Sequence, residues 1–128
     1  MYRGFLSDNV AIKIESNSSS NLDLFIFDIS GNIGEAYDID AMRLLSFMNM
    51  FYKITSEEIE DFIYLDFLDY PESRSIGSLS KPGLGDDLKV GIGDFEFEVL
   101  NEELKETGEL VKQLIDYLKC QLESFKEV

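Results

Sequence analysis

The residues of this sequence best equipped to do chemistry are carboxylates. Glu57, Glu60, Asp61, Asp66, Asp69 and Glu72 follow one another with Tyr64 and Tyr70 among them. Two uses exist for such a series. Paired carboxylates can work as general acid and base, but spacing alone does not select a pair, because the role depends on pocket geometry and a raised pKa. Alternatively, carboxylates bind arginine and lysine, and tyrosine adds contact area and a polar handle at little entropic cost. The second use suits this series better. Glu57, Glu60, Asp61, Tyr64, Asp66, Asp69, Tyr70 and Glu72 are therefore the expected partner-binding residues.

Other chemistries lack their residues. Histidine is absent, which removes the usual general base, pH switch and transition-metal ligand together. Nucleophilic triads fail for the same reason, and Cys120 in the C-terminal helical pattern reads as a partly buried structural thiol. Asp38-Ile39-Asp40 begins like a calcium loop, but the required glycine and distal glutamate are missing. Lys81-Pro82-Gly83 reverses the order that a phosphate-binding loop needs. No catalytic, cofactor or metal site is expected, and the chain is not expected to be an enzyme.

The charge balance points the same way. Twenty-six Asp and Glu face eleven Lys and Arg, giving a formal net charge of −15, and Glu35–Glu72 holds ten of those carboxylates against Arg43 and Lys53. Such a field repels nucleic acid and anionic membranes and attracts cationic proteins. Solubility alone is the competing explanation for the acidity. At 128 residues, 45% hydrophobic, with ten Phe and six Tyr, the chain reads as a single globular domain, residues 1–128, able to bury a core. No apolar run reaches the length of a membrane helix, no secretory signal is evident, and the single cysteine favours a reducing compartment. A cytoplasmic monomer is expected.

The elements that would position the acidic series can be read from periodicity. Val10, Ile12 and Ile14 alternate with Ala11, Lys13 and Glu15, and Ser7-Asp8-Asn9 supplies turn residues, so Tyr2–Glu15 reads as a hairpin. Leu22–Ile29, apolar on both faces, reads as a strand covered on two sides, and Ser30-Gly31-Asn32 breaks it. Asp38 or Asp40 caps a first helix through Ala41, Leu44, Leu45, Met48 and Tyr52. Thr55 and Glu58 form a capping box flanked by Ile54 and Ile59, predicting a second helix that ends by Tyr70 before Pro71. Read this way, Glu57, Glu60, Asp61 and Tyr64 point away from its apolar side. A strand over Ile63–Asp69 is the alternative. Pro71–Asp87 reads as a long loop. Leu88–Val99 gives two strands turning at Gly93-Asp94, with Phe95, Phe97 and Val99 inward and Glu96 and Glu98 outward. Asn101 caps a last helix whose stripe is Leu104, Val111, Leu114, Ile115, Leu118, Leu122 and Phe125, with Gly108 a candidate break. The fold class is α+β, in the order ββ-αα-ββ-α: a mostly antiparallel sheet of four or five strands with three helices packed on it. No internal repeat is visible.

In size, acidity, lack of histidine and mixed α/β texture, the chain resembles the small immunity proteins that bacteria hold against contact-dependent growth inhibition and related nuclease toxins. The features carrying the resemblance are the acidic segment Glu35–Glu72, the Glu57–Tyr64 face and the lone Cys120. It implies an antitoxin that binds a basic cognate toxin domain and masks its active site or substrate path. A DNA-mimicking inhibitor of a DNA-binding protein, a small hydrolase using paired carboxylates, and an adaptor or structural domain contacting its partner through Pro71–Asp87 are the alternatives.

Overall fold

A computed structural model describes residues 1–16, 21–56, 63–69, 74–82, 85–93 and 95–126. Four strands come first: β1 (Tyr2–Phe5), β2 (Ala11–Ser16), β3 (Asn21–Asp28) and β4 (Gly31–Asp40), paired in that order as an antiparallel meander. Helix α1 (Ala41–Ser56) comes next. A second meander, β5 (Ile63–Asp69), β6 (Arg74–Lys81), β7 (Leu88–Ile92) and β8 (Phe95–Val99), leads through a 3-10 turn at Asn101–Glu103 into helix α2 (Leu104–Lys126).

This corrects the predicted architecture. Among the described residues there are two four-stranded sheets rather than one, and two α-helices rather than three, in the order ββββ-α-ββββ-α. Each half repeats the same plan, although the sequence shows no repeat. Three strands account for the difference. Gly31–Asp40, read as a break and a cap, is β4; only Ile39 in it is buried, so it carries almost no apolar period and is held by its ladder to β3. Ile63–Asp69 is β5, the alternative reading, with Tyr64 and Asp66 exposed while Leu65 and Phe67 are partly buried. The expected helix start fails with it. Thr55 lies inside the last turn of α1, buried, its hydroxyl donating to the Tyr52 carbonyl at 2.7 Å; Glu58 lies outside the described residues. Finally, Arg74–Lys81 in the expected loop is β6, an inner strand whose Ile76 and Leu79 are fully buried.

The helices are exchanged between the halves. Phe47 of α1 packs edge-on against Phe67 of β5, ring centroids 5.3 Å apart, and lies over Gly77 of β6, where an added Cβ would come within 2.7 Å of its ring. Gly77 is thus a packing residue and not the loop glycine its neighbourhood implies. Helix α2 reaches back to the first sheet, where Tyr117 stacks on Tyr2 of β1 at 4.8 Å. The two helices also cross each other at Gly108, whose missing Cβ leaves room for Thr55. Gly108 is therefore a close-approach position inside a continuous helix, not a break. Edge strands β4 and β8 meet at Gly34 and Phe95. One core results, running from Leu6 to Leu118 across both sheets and both helices.

Local expectations fare better where periodicity is strong. Asp40 caps α1, its carboxylate accepting from the Arg43 amide at 3.0 Å. Phe97 and Val99 are buried while Glu96 and Glu98 are exposed, and Val111, Leu114, Ile115 and Leu118 are buried along α2. The cap before α2 comes from elsewhere than expected: the Asn101 amide donates to the Asp87 carboxylate at 2.9 Å. Lys81 is buried at the end of β6, its ammonium donating to the Asp86 carbonyl at 2.6 Å and approaching the Asn101 side chain at 3.5 Å. That cation ties the end of β6 to Asp86 and to Asn101 before α2.

Burial raises the pKa of both Tyr2 and Tyr117 above the ordinary phenol range, because a phenolate there would lose its water. The unfolded chain then releases these protons first as pH climbs past roughly 10, the unperturbed phenol value. Above that point the native state holds more protons than the unfolded one, so stability falls with rising pH. Tyr117→Phe is expected to flatten this alkaline loss in denaturant titrations. Its hydroxyl is buried with no hydrogen-bond partner among the described residues. At neutral pH the same substitution should therefore leave stability unchanged or raise it by up to about 1 kcal/mol.

Candidate protein-binding faces

Among the described residues, both sheets turn one face to the helices and leave the other uncovered. On the second sheet, antiparallel register sets the outward side chains in two rows across the strands. One row is Asp66, Ser78, Gly91 and Glu96; the other is Tyr64, Ser80, Lys89 and Glu98. Tyr64 is 60% exposed, and Asp66, Lys89, Glu96 and Glu98 are exposed as well. The centre is floored by small residues: Ser78, Ser80 and Gly91. With adjacent strands about 4.8 Å apart, the backbones at Asp66 and Glu96 stand roughly 14 Å from each other. The result is a shallow acidic trough with carboxylates on both walls and one lysine on its floor.

Of the expected binding residues, Tyr64 and Asp66 are brought together here, with Asp69 ending the same strand. Glu57, Glu60, Asp61, Tyr70 and Glu72 lie outside the described residues. Glu96 and Glu98 join the face from β8. They were legible as outward-facing, but their place beside Asp66 depends on pairing through β6 and β7, which no local pattern encodes.

The first sheet carries a second face that sequence reasoning missed. Arg3, Lys13, Phe25 and Glu35 form one outward row, and Phe5, Ala11, Phe27 and Asn32 the next. No described element covers Phe25 and Phe27, so β3 is packed on one side only, against the expectation of two. Phe5 is 52% exposed and Ile29 fully so. The Lys13 ammonium sits 5.4 Å over the Phe25 ring and 3.0 Å from Glu15. Phe25 meets Tyr37 edge-on at 5.9 Å, and the Tyr37 hydroxyl donates to Glu35. That hydrogen bond to a carboxylate, before burial, raises the Tyr37 pKa. The signal was present in the Leu24–Phe27 run; what the sequence withheld was which side stays open.

Comparison with protein-family models, with curated proteins and with solved structures finds no match. The chemistry of the two faces is what bears on function. Among the described residues no cluster of Cys, Asp or Glu could hold a metal ion. Cys120 is exposed on α2, not partly buried as expected. Among the described residues, no helix is long and apolar enough to cross a membrane.

Proposed function

We propose that this chain is an immunity protein: a binding protein that neutralises a basic cognate toxin domain, a nuclease being the type its charge fits best. The observation carrying the reading is the open face of the second sheet, where Asp66, Glu96 and Glu98 surround Ser78, Ser80 and Gly91, with Tyr64 at the edge. A protein segment bearing arginine or lysine can lie on the small-residue floor and meet a carboxylate on either wall, while Tyr64 supplies an aromatic anchor. The net charge of −15 adds long-range steering toward a cationic surface. The same field disfavours nucleic acid and anionic membrane as partners.

The test begins with the neighbouring reading frame. If it encodes an exported protein ending in a basic domain, co-expression of this chain should restore growth to cells producing that domain. Association of the purified pair should slow steeply as salt rises, since exposed charges more than about 8–10 Å apart are screened at physiological ionic strength. A pair whose association rate ignores salt would rule out the acidic face as the docking surface. A DNA mimic instead needs a ladder of acids at phosphate spacing, and the second sheet places Ser78, Gly91 and Lys89 between its carboxylates. The cationic protein is therefore the better partner.

A further inference from the structure

A shallow depression of about 470 Å³ lies at one end of the first sheet's open face, and its lining combines aromatic rings with carboxylates. Phe5 and Phe27 flank the small side chain of Ala11 in one cross-strand row. With adjacent strands about 4.8 Å apart, the backbones of the two phenylalanines stand roughly 10 Å from each other. Asp8 and Asp28 line the same depression, as does the fully exposed Ile29. Among the described residues its lining includes no cation. The Ser30 hydroxyl, and with it the Ser30 amide at 2.7 Å, donates to the Asp28 carboxylate, which lowers its pKa and keeps it charged.

Two residues back along β3, the same sheet holds a cation of its own in such a setting. The Lys13 ammonium is 5.4 Å from the centroid of the Phe25 ring, within cation–π range, and 3.0 Å from Glu15. Phe5 and Phe27 with Asp8 and Asp28 offer the same pairing of ring and carboxylate to a cation from outside.

We infer that this depression is a binding site for an arginine side chain presented by a protein partner. An anion would meet Asp8 and Asp28, on a face where Glu15, Asp23 and Glu35 further outnumber Arg3 and Lys13. A neutral apolar group would take water from two carboxylates and return no hydrogen bond. A guanidinium answers both parts of the lining. It is flat and weakly hydrated, so it stacks on aromatic faces, and its five N–H donors reach carboxylates at its edge. Its aliphatic stem can lie along Ile29. The lysine ammonium is compact and strongly hydrated, so the site should prefer arginine. This site and the acidic trough occupy different sheets, and either can fail without the other.

Titration of the isotope-labelled full chain with a capped peptide holding one arginine between two glycines, followed by NMR, tests this. The expected result is saturable binding in the millimolar range, with shifts concentrated at Phe5, Asp8, Ala11, Phe27 and Ile29. The matching lysine peptide should bind about two- to fivefold more weakly, and the citrulline peptide, flat but uncharged, more weakly still. Phe5→Leu and Asp8→Asn should each weaken the arginine peptide by about two- to fivefold. Glu109→Gln with Asp116→Asn removes two exposed charges from α2 and should change nothing at physiological salt, where distant charges are screened. Shifts confined to the strands of the second sheet overturn the inference and leave the acidic trough standing as the toxin-binding face. Equal affinity for the citrulline peptide also overturns it, as does a loss on Asp8→Asn no larger than that of the helix pair. Shifts at Phe5 and Phe27 that persist when Asp66, Glu96 and Glu98 are reversed to lysine support it, whatever that variant does to toxin binding. Phe5 and Asp8 are exposed, so circular dichroism should show both variants folded.

Discussion

Phe47→Ala is expected to destabilise the protein by about 3–5 kcal/mol, the range for truncating a fully buried phenylalanine, measured as a shift in the denaturant midpoint. Phe47 is buried among Phe51, Phe67 and Gly77, so its loss opens a cavity where α1 of the first half lies on the sheet of the second. A marginal domain has only about 5–15 kcal/mol in total, and this substitution removes a large share. The same site supplies an internal check. Gly77→Ala pushes a methyl toward the Phe47 ring and toward the Gly91 carbonyl, 2.6 Å from the added atom, so it too should destabilise. Phe47→Leu in that background gives back part of the room. The double variant should then cost less than the sum of its singles, with a coupling on the order of 0.5–3 kcal/mol. Strict additivity would mean that the helix does not rest on β6 as described.

Reversing Asp66, Glu96 and Glu98 to lysine together is the corresponding prediction for function. All three are exposed on an open sheet face; Glu96 and Glu98 should each change stability by no more than about 0.5 kcal/mol, and thermal melting should confirm the fold. Association with a cationic partner domain should fall much further. Loss of steering alone lowers an association rate by about 10–10³, and like charges brought into contact then shorten the lifetime of the complex. Stopped-flow association at low salt would read the first effect. Protection of growth in cells producing the toxin domain would read the second. If the triple variant still binds and protects as the parent does, the second sheet is not the docking surface.

These two experiments probe different kinds of information in the chain. Helix α1, helix α2 and the β7–β8 hairpin were legible because each encodes itself locally. Asp40 can cap only the turn directly C-terminal to it, and Leu44 and Met48 recur at the period of a helix. Phe95, Phe97 and Val99 alternate with Glu96 and Glu98 at the period of a strand. β4, β5 and β6 were not legible, for three separate reasons. β4 buries one large side chain and is held by hydrogen bonds to β3. The residues of β5 fit a helical stripe as readily as a strand. β6 is rich in serine and glycine because Phe47 and the neighbouring strand press close at Gly77, and that composition reads as loop.

The binding faces divide in the same way. By itself the sequence determined that the chain is strongly acidic and without histidine, and that Glu96 and Glu98 take outward positions on their strand. Only the tertiary structure decided that residues thirty positions apart share one trough. It also decided that Phe5 and Phe27 lie open beside Arg3 and Asp8. The reason is physical: periodicity fixes which side of its own element a residue takes, whereas neighbours across a sheet, and the face a helix leaves bare, are set by contacts between distant segments that no short stretch of chain contains.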